Sequence, residues 1–363
     1  MPYFIKQLLC FQESSILFHR PSYRNQKRGD EMKKRFSGVF GCVGAVIGAG
    51  FVSGREVVSF FSRYGSHSWW LIGLAVATMV VLCCLCMHRA ENGGERAVCC
   101  PERPLARCCL LTVLVVLAGS MTAAAGHMVA LLLPVKAAYL LGIVATLSIA
   151  WLLSNGSMKP FSALSFTLTG LFLAVILLAL RTPSAHAANM AEGTSPVGLA
   201  KAALYAVGYG AMNIAVSMGV ICRSGQGCVR DRNRKSALLG LMLCGLLFVS
   251  NALYLRNPQV QDNAFPIVPF AAGLGRAGYV LCLAMLYLAV LTTLIALVLV
   301  MRNGLEQASL PGKAVMPLTL GLPAVISCIG FADIVDHLYA PCGLFCLLIL
   351  FFPMFLQSRQ KPS

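Results

Sequence analysis

The sequence predicts an all-α integral membrane protein of about ten transmembrane helices in two five-helix repeats. Four observations support this fold class. Apolar runs of about 20 residues, the length that crosses a bilayer, recur along the whole chain. Glycine residues interrupt the first and the sixth run, and Lys and Arg residues gather in alternate connections. Hydrophobic residues make up 58% of the 363 residues and charged residues only 12%, which excludes an ordinary soluble domain.

Ten apolar runs define the expected spans and domains. The spans are expected at about 36–61, 69–87, 108–133, 137–153, 161–180, 198–222, 236–255, 277–301, 315–331 and 338–356. They give a first five-helix repeat at 36–180, an extracytoplasmic linker at 181–197 and a second five-helix repeat at 198–356. Residues 1–35 and 357–363 are expected to be cytoplasmic tails. The stretch MKKRFSG at Met32 resembles a translation start, so residues 1–31 are expected to be disordered or untranslated.

The first span contains glycines that a plain membrane helix would not carry. Its middle holds Gly44, Gly48, Gly50 and Gly54, and the charged residues Arg55 and Glu56 follow. Glycine lowers the cost of leaving helical geometry, and irregular backbone survives at membrane depth only inside protein or beside a wet cavity. The pattern predicts a helix broken at mid-membrane, whose free backbone groups bind solute and cations. The alternative is a glycine-rich face that lets helices approach closely.

The sixth span is expected to be broken in the same way, because Gly208, Gly210 and Asn213 lie at its middle. Two interrupted spans in corresponding positions divide ten spans into five plus five. Because five is odd, the second half must enter the membrane from the opposite side. The pattern therefore predicts an inverted-topology repeat with its binding site between the two breaks.

The basic residues indicate which ends of the spans are cytoplasmic. Most of the 29 Lys and Arg residues fall in the two tails and in the even-numbered connections, which ten spans place on one side. Positive loops mark the cytoplasmic face, so both termini are expected inside a bacterial cell (inner) membrane. The net charge of +16 thus reflects topology and not a nucleic-acid partner. The Pro-rich segment 257–276 is expected to be a loop with a short helical piece.

The 16 cysteines do not form a metal or redox motif. Many of them lie inside apolar runs, where cysteine acts as a small hydrophobe, and no CxxC pair has a matching second pair or histidine. No catalytic triad, HExxH motif or pair of intramembrane aspartates indicates an enzyme. We therefore expect no cofactor and no catalytic residue.

Several motifs, in order along the chain, resemble one family. GAGFVSGRE and FFSRYG in the first span, GYGAMN in the sixth, a Thr pair in the eighth and the ending IGFADIVDHLYAPCGLFC resemble the YkvI family of bacterial membrane proteins. The resemblance covers about 36–356. It implies the LeuT-like fold of the amino acid–polyamine–organocation transporters. Arg55 is a departure, since a neutral glutamine is expected at that position.

The wider sodium-symporter pattern implies one cation site. Its ligands here are the carbonyls of Gly44, Ile47 and Ala289 and the hydroxyls of Thr292 and Thr293. Such oxygen atoms can replace the hydration shell of Na⁺ without adding a net charge. The alternative is that both threonine hydroxyls bond only to their own helix. Phe51 stands where the family's first sodium site has an asparagine, so at most one sodium is expected.

The substrate site is expected between the breaks of the first and sixth spans. Its candidate residues are Ala49, Gly50, Phe51, Ser53, Glu56, His127, Tyr205, Tyr209 and Asn213. The amides near Ala49 to Phe51 suit a carboxylate, and Glu56 could pair with an arginine, receive a substrate amine or carry a proton. The histidine and the tyrosines have a structural alternative, as single hydrogen-bonding groups in the packing. Asp333 and Asp336 are expected to be solvated at a span end.

These features predict a secondary transporter that moves a small solute by alternating access. The resemblance implies an amino acid or related amine as the solute, coupled to Na⁺ or H⁺, and leaves the oligomeric state open. The alternative is a membrane receptor or sensor of the same fold, of the spore germinant receptor type. Such a receptor would bind its solute without net transport and would have an obligate operon partner.

Overall fold

Helix is the regular secondary structure of the described part of the chain. The computed structural model describes residues 43, 46, 48–99, 104–133, 135–154, 170–177, 180, 196–224, 229–273, 275–307 and 311–359. These residues belong to one compact unit, Val39–Ser363. Every regular element within them is a helix, which agrees with the predicted all-α class. The carbonyl candidates Gly44 and Ile47 lie outside the described residues.

The first expected span is interrupted, as the glycines predict. Gly48 is extended, with φ −81° and ψ 178°, and helix α1 (Ala49–Ser53) follows it. Gly54 then takes a left-handed conformation, with φ 85°, before helix α2 (Arg55–Phe60). Residues with a Cβ rarely adopt this φ, so glycine makes the second interruption inexpensive. The chain therefore leaves helical geometry twice, on either side of α1.

Nine further helices, α3 to α11, follow in the described residues, together with a helical segment at 170–177 in the fifth expected span. They are α3 (Ser68–Cys99), α4 (Pro104–Leu132), α5 (Ala138–Ser154), α6 (Pro196–Ser224), α7 (Val229–Arg256), α8 (Val268–Gly273), α9 (Gly275–Gln307), α10 (Gly312–Ser327) and α11 (Phe331–Leu356). In the described ranges, six helices are long and apolar enough to cross a membrane, namely α3, α4, α6, α7, α9 and α11. The chain is therefore a multi-pass membrane protein.

The predicted break in the sixth span is wrong, because α6 is one continuous helix from Pro196 to Ser224. Its glycines serve close packing instead. A Cβ on Gly208 would lie 3.0 Å from the Ala340 carbonyl oxygen, and one on Gly210 would lie 2.8 Å from that of Ala75. The 2.8 Å distance is too short for a Cβ contact and the 3.0 Å distance is at the tight limit, so glycine at both positions allows α3 and α11 to approach the backbone of α6 closely.

Three expected connections are partly helical. Helix α3 continues to Cys99, through much of the loop expected at 88–107, and α7 begins at Val229 inside the expected basic loop. Lys, Arg and Glu favour helix once the apolar segment has ended, and the apolar pattern alone does not mark that end. Helix α11 begins at Phe331 and contains π-helical stretches at Ile334–Leu338 and Cys346–Phe351. The short helical piece expected in 257–276 is observed as α8.

The helices pack in two groups around α4 and α6. Helix α6 packs mainly against α3 and α11, and α3 also contacts α7. Helix α4 packs against α5, α9 and α10. The short helix α1 contacts α9, so the interrupted first span touches the second group as well. This arrangement brings α2, α4, α6, α9 and α11 around one small internal space.

The crossing of α6 and α11 predicts a large packing effect at Gly343. A Cβ on Gly343 would overlap the backbone carbonyl of Gly208, which cannot move without bending α6. We expect Gly343→Ala to lower the free energy of unfolding by about 2 kcal/mol, as overpacking of a rigid core does. Thermal unfolding of the detergent-purified protein measures this effect.

Gly321→Ala is the matched control, because nothing lies within 4 Å of a Cβ at Gly321 in helix α10. That variant should be neutral or up to about 1 kcal/mol more stable, since alanine favours helix over glycine. Equal unfolding temperatures for the two variants would show that the close α6–α11 approach is not required.

Candidate substrate and cation site

A small cavity lies where the interrupted first span meets α4, α6, α9 and α11. Its volume is about 40 Å³. The described residues that line it are Val46, Gly48, Glu56, Leu117, Met121, Met212, Asn213, Val216, Thr293, Leu297 and Tyr339. A water molecule needs roughly 10–15 Å³ by this measure, so the cavity has room for about three waters or one small cation with part of its hydration.

Glu56 supplies the negative charge of this cavity. The residue is 5% exposed, and its Oε2 accepts a hydrogen bond of 3.1 Å from the Tyr209 hydroxyl. Gly50 lies directly against the carboxylate, and a Cβ there would overlap Oε1. Among the described residues, no Lys, Arg or His nitrogen lies within 4 Å of Glu56. A buried charge without a partner is costly, so this carboxylate requires a proton or a bound positive group.

The sixth span contributes Tyr209 and Asn213 to the same site. Besides donating to Glu56, Tyr209 is 1% exposed and packs edge-on against Phe61, with ring centroids 5.4 Å apart. The Asn213 side-chain amide donates to the Tyr209 carbonyl oxygen at 2.9 Å, one helical turn away, and Asn213 lines the cavity. These contacts fix the two polar side chains of α6 beside Glu56.

Helix α9 contributes the threonine pair. Thr292 and Thr293 both donate to the Ala289 carbonyl oxygen, at 3.0 and 2.9 Å. This is the self-bonded arrangement that was the structural alternative to a cation site. A hydroxyl that donates its proton still has lone pairs for a cation. Thr293 also lines the cavity, and its methyl group lies 3.9 Å from a Cβ position on Gly48. The break and the threonine pair are thus adjacent.

The other candidate residues lie outside the cavity lining. Phe51 is 2% exposed and contacts Phe172 edge-on at 5.6 Å. The Ser53 hydroxyl donates to the Gly50 carbonyl oxygen at 2.7 Å and accepts from the Arg55 amide at 3.3 Å, so it fastens the turn at Gly54. Tyr205 stacks under Lys201 at 5.3 Å.

His127 and Ala49 also lie outside the cavity lining. His127 is exposed on α4 and its ring stands edge-on to Phe265 at 5.6 Å. Ala49 is the first residue of α1, next to the extended Gly48. The structure therefore brings Glu56, Tyr209, Asn213 and Thr293 together and leaves His127 on a different surface.

A polar network joins α2 to α11 beside this site. The Asp336 carboxylate pairs with Arg55 at 2.6 Å and with Arg63 at 3.0 Å, and it accepts a hydrogen bond from the Ser59 hydroxyl. Arg55 also donates to the carbonyl oxygens of Gln261 and Asn263 in the loop after α7, at 3.1 and 3.2 Å. We call Arg55, Ser59, Arg63 and Asp336 the α2–α11 network.

The expectation that Asp336 is solvated at a span end is wrong. Its side chain is 15% exposed and that of Arg55 is 10% exposed, because α11 begins before Asp336 and turns it towards α2. Arg55 therefore pairs with Asp336 and not with its sequence neighbour Glu56, as the angle of about 100° between adjacent helical residues requires. Asp333 is exposed, as expected. A sequence signal for the network existed, since charges within apolar segments tend to pair with one another.

Comparisons with known proteins support the fold. No protein-family model and no curated protein sequence matches the chain. The crystal structure of the Eremococcus coleocola manganese transporter in complex with an aromatic bis-isothiourea substituted compound is similar, with a TM-score of 0.54 and 18% sequence identity. The match covers 95% of this chain and 82% of that chain. The chain thus has the helical fold of a known membrane transporter, and the resemblance to the YkvI family stays a prediction.

Proposed function

We propose that the protein is a secondary transporter that moves a small solute with a positively charged group across a bacterial cell membrane by alternating access. The observation that carries this proposal is the buried Glu56 carboxylate, which faces a small cavity beside an interrupted helix and has no cation within 4 Å in the described part of the chain. We further propose ten spans, cytoplasmic termini and an inverted five-helix repeat at 36–180 and 198–356. The fold shared with a manganese transporter supports this assignment.

The amine of a small amino acid is the first candidate for the positive group. It would approach the Glu56 carboxylate, while Tyr209 and Asn213 orient it through hydrogen bonds. The backbone amides of Ala49 to Phe51 are proposed to receive the substrate carboxylate. A cavity of about 40 Å³ is too small for an amino acid. An amino acid substrate therefore requires the cavity to be wider in another state of the alternating-access cycle.

A metal cation is the second candidate, and two observations favour it. The cavity has the size of a cation with a few waters, and the similar solved structure is that of a manganese transporter. Met121 and Met212 line the cavity with Asn213 and Glu56. Thioether and carboxylate ligands together suit a transition metal better than Na⁺. In the described ranges no group of three His, Cys, Asp or Glu residues could hold a metal, so Glu56 would be the anionic ligand.

The coupling ion is proposed to be Na⁺, held by the carbonyls of Gly44, Ile47 and Ala289 and by the hydroxyls of Thr292 and Thr293. What supports this site is the position of Thr293, which lies beside Gly48 and on the cavity wall. Proton coupling through Glu56 is the alternative. No cofactor is proposed.

Thermal unfolding of the purified protein in NaCl, KCl and choline chloride tests the cation site. A ligand at 100 times its Kd adds about 2.7 kcal/mol to the free energy of unfolding. We expect a sodium-specific rise in unfolding temperature in the wild type that disappears in Thr293→Ala. Thr78→Ala is the control, because Thr78 makes the same bond to its own helix at 2.9 Å on α3. Stabilisation that is equal in all three salts would remove sodium from the proposal.

Uptake into vesicles separates the two substrate candidates and the receptor alternative. Each amino acid of a panel, and MnCl₂, is added outside vesicles that contain the protein, with and without a sodium or proton gradient. Concentrative uptake of one solute class names the substrate. A solute that stabilises the protein but never accumulates would favour the receptor, and absence of both binding and uptake for every solute would contradict the proposed function.

A further inference from the structure

A chain of hydrogen bonds joins α11 to α4 at the wall of the small cavity beside Glu56, which we call the Glu56 cavity. Tyr339 of α11 lines this cavity and is fully buried. Its hydroxyl oxygen lies 2.5 Å from Oγ of Ser120 in α4. The Ser120 hydroxyl donates to the Leu117 carbonyl oxygen of its own helix at 2.9 Å. Ser120 is not among the described residues that line the cavity, so it reaches the cavity through Tyr339.

The single proton of Ser120 sets the direction of this chain. A serine hydroxyl has one proton to donate and two lone pairs that accept. Because that proton goes to the Leu117 carbonyl oxygen, Ser120 accepts the proton of the Tyr339 hydroxyl. A phenol has one proton as well, so Tyr339 then has none to donate into the cavity. Its oxygen faces the cavity as an acceptor.

The other polar side chains of the cavity also use their protons elsewhere. Thr293 donates to the Ala289 carbonyl oxygen at 2.9 Å. The Asn213 amide nitrogen donates to the Tyr209 carbonyl oxygen at 2.9 Å, which leaves the Asn213 side-chain oxygen to accept. An ionised Glu56 has acceptors alone. The described lining residues of α2, α6, α9 and α11 therefore each present an oxygen acceptor to the cavity.

Oxygen acceptors from four helices suit a positively charged group. Carboxylate, amide and hydroxyl oxygens replace the water around a hard cation, and the same oxygens accept the N–H groups of an amine. A hydroxyl that donated into the cavity would instead place its proton against the bound positive charge. The direction of the Tyr339 proton therefore affects binding, and Ser120 sets that direction.

We propose that Tyr339 is a further ligand of the positive group in the Glu56 cavity and that Ser120 is its positioning residue. The Tyr339 oxygen binds the metal cation or the amine together with the Glu56 carboxylate, and Ser120 holds the phenol proton away from the cavity. This inference rests on the proposed function, because it concerns the same cavity and the same positive group. It adds a ligand from α11 to those from α2, α6 and α9.

Thermal unfolding of the full chain in detergent tests the proposal with two probes. MnCl₂ represents a metal cation and methylammonium chloride represents an amine, and each is titrated against choline chloride at equal ionic strength. The rise in unfolding temperature with probe concentration gives a Kd for each variant, relative to the same variant without probe. We expect at least one probe to stabilise the wild type.

Two single variants and their combination identify the roles of the two hydroxyls. Tyr339→Phe removes an oxygen that contacts a charged group and should weaken binding of the stabilising probe about tenfold. Ser120→Ala leaves every lining side chain in place but should weaken binding by a similar factor, because the Tyr339 proton is then free to turn towards Glu56. In the double variant, Ser120→Ala should add nothing to Tyr339→Phe, since the serine acts through the phenol hydroxyl.

Thr122→Val is the matched control, because Thr122 is a buried residue of α4 whose hydroxyl donates to the Ala118 carbonyl oxygen at 2.7 Å. It should bind the probe like the wild type. If Ser120→Ala does not fold, Tyr339→Phe still decides whether the phenol oxygen is a ligand.

Three results would overturn the inference. They are wild-type affinity in Tyr339→Phe or in Ser120→Ala, additive effects of the two substitutions, and an equal loss of affinity in Thr122→Val. The proposed function survives each of them if Glu56→Gln abolishes binding of the probe. If neither probe stabilises the wild type, the inference and the positively charged group of the proposed solute are both contradicted.

Discussion

Glu56→Gln should reduce transport about 100-fold while the protein remains folded. The substitution keeps the shape of the side chain and keeps an oxygen atom that can accept the Tyr209 hydrogen bond. It removes the negative charge that a cation, an amine or a proton needs in this cavity. Removing one partner of a buried charge pair costs about 3 kcal/mol in binding, which corresponds to roughly a 100-fold loss. Initial uptake rates into vesicles, with the substrate found in the panel experiment, measure the effect.

Two controls separate the charge of Glu56 from other effects. Asp333→Asn removes an exposed carboxylate from the start of α11 and should leave the uptake rate unchanged. Tyr209→Phe removes the hydrogen bond to Glu56 and leaves the charge, so it should cost less than Glu56→Gln. Uptake by Glu56→Gln at the wild-type rate would eliminate the cavity as the central site.

Asp336→Leu should lower the free energy of unfolding by about 3 kcal/mol, because it leaves the Arg55 guanidinium buried without its carboxylate. Arg63→Gln should cost under about 1 kcal/mol, since the Arg63 side chain is 39% exposed and water screens its pair with Asp336. Thermal unfolding in detergent, in the absence of solute, compares the two variants.

The double variant Arg55→Met with Asp336→Leu tests whether the unpaired Arg55 charge causes the loss of stability in Asp336→Leu. It removes both buried charges, so it should be more stable than Asp336→Leu alone, although Arg55 also loses its bonds to Gln261 and Asn263. The double-mutant cycle then gives the coupling energy of the pair. If the double variant is less stable than Asp336→Leu by the full cost of Arg55→Met, the two side chains act independently and the α2–α11 network is not a unit.

The interruption of the first span could be predicted from sequence, whereas the state of the sixth could not. Both spans carry glycines at their middle, and glycine serves two purposes, to leave helical geometry and to let helices approach closely. At Gly54 the backbone takes a positive φ, so the first purpose applies. At Gly208 and Gly210 the second purpose applies, because the backbone carbonyls of Ala340 and Ala75 lie close to these glycines. These neighbours are remote in sequence, and no local pattern identifies them.

The candidate site also contains some residues that could be predicted from sequence and others that could not. Glu56, Tyr209 and Asn213 are predicted because polar residues inside apolar runs are rare, and Thr293 is implied by the resemblance to the sodium-symporter pattern. The structure brings all four together. Met121, Met212 and Tyr339, which complete the cavity wall, are of residue types common in any apolar core and gave no signal. Asp336 was assigned to solvent because the apolar pattern started α11 too late, so its partner Arg55, 281 positions away, could not be inferred.

Helix α2 is only six residues long, and two adjacent side chains on it face different partners. Glu56 faces the cavity, and Arg55 reaches the carboxylate of α11. A change in position of this short helix therefore alters both contacts at once. Thermodynamic linkage then makes the effect reciprocal. If a bound cation changes the equilibrium constant for the Arg55–Asp336 contact by some factor, formation of that contact changes the affinity for the cation by the same factor. If the proposed cation binds in the cavity, its occupancy and the attachment of α2 to α11 are then coupled parts of one equilibrium.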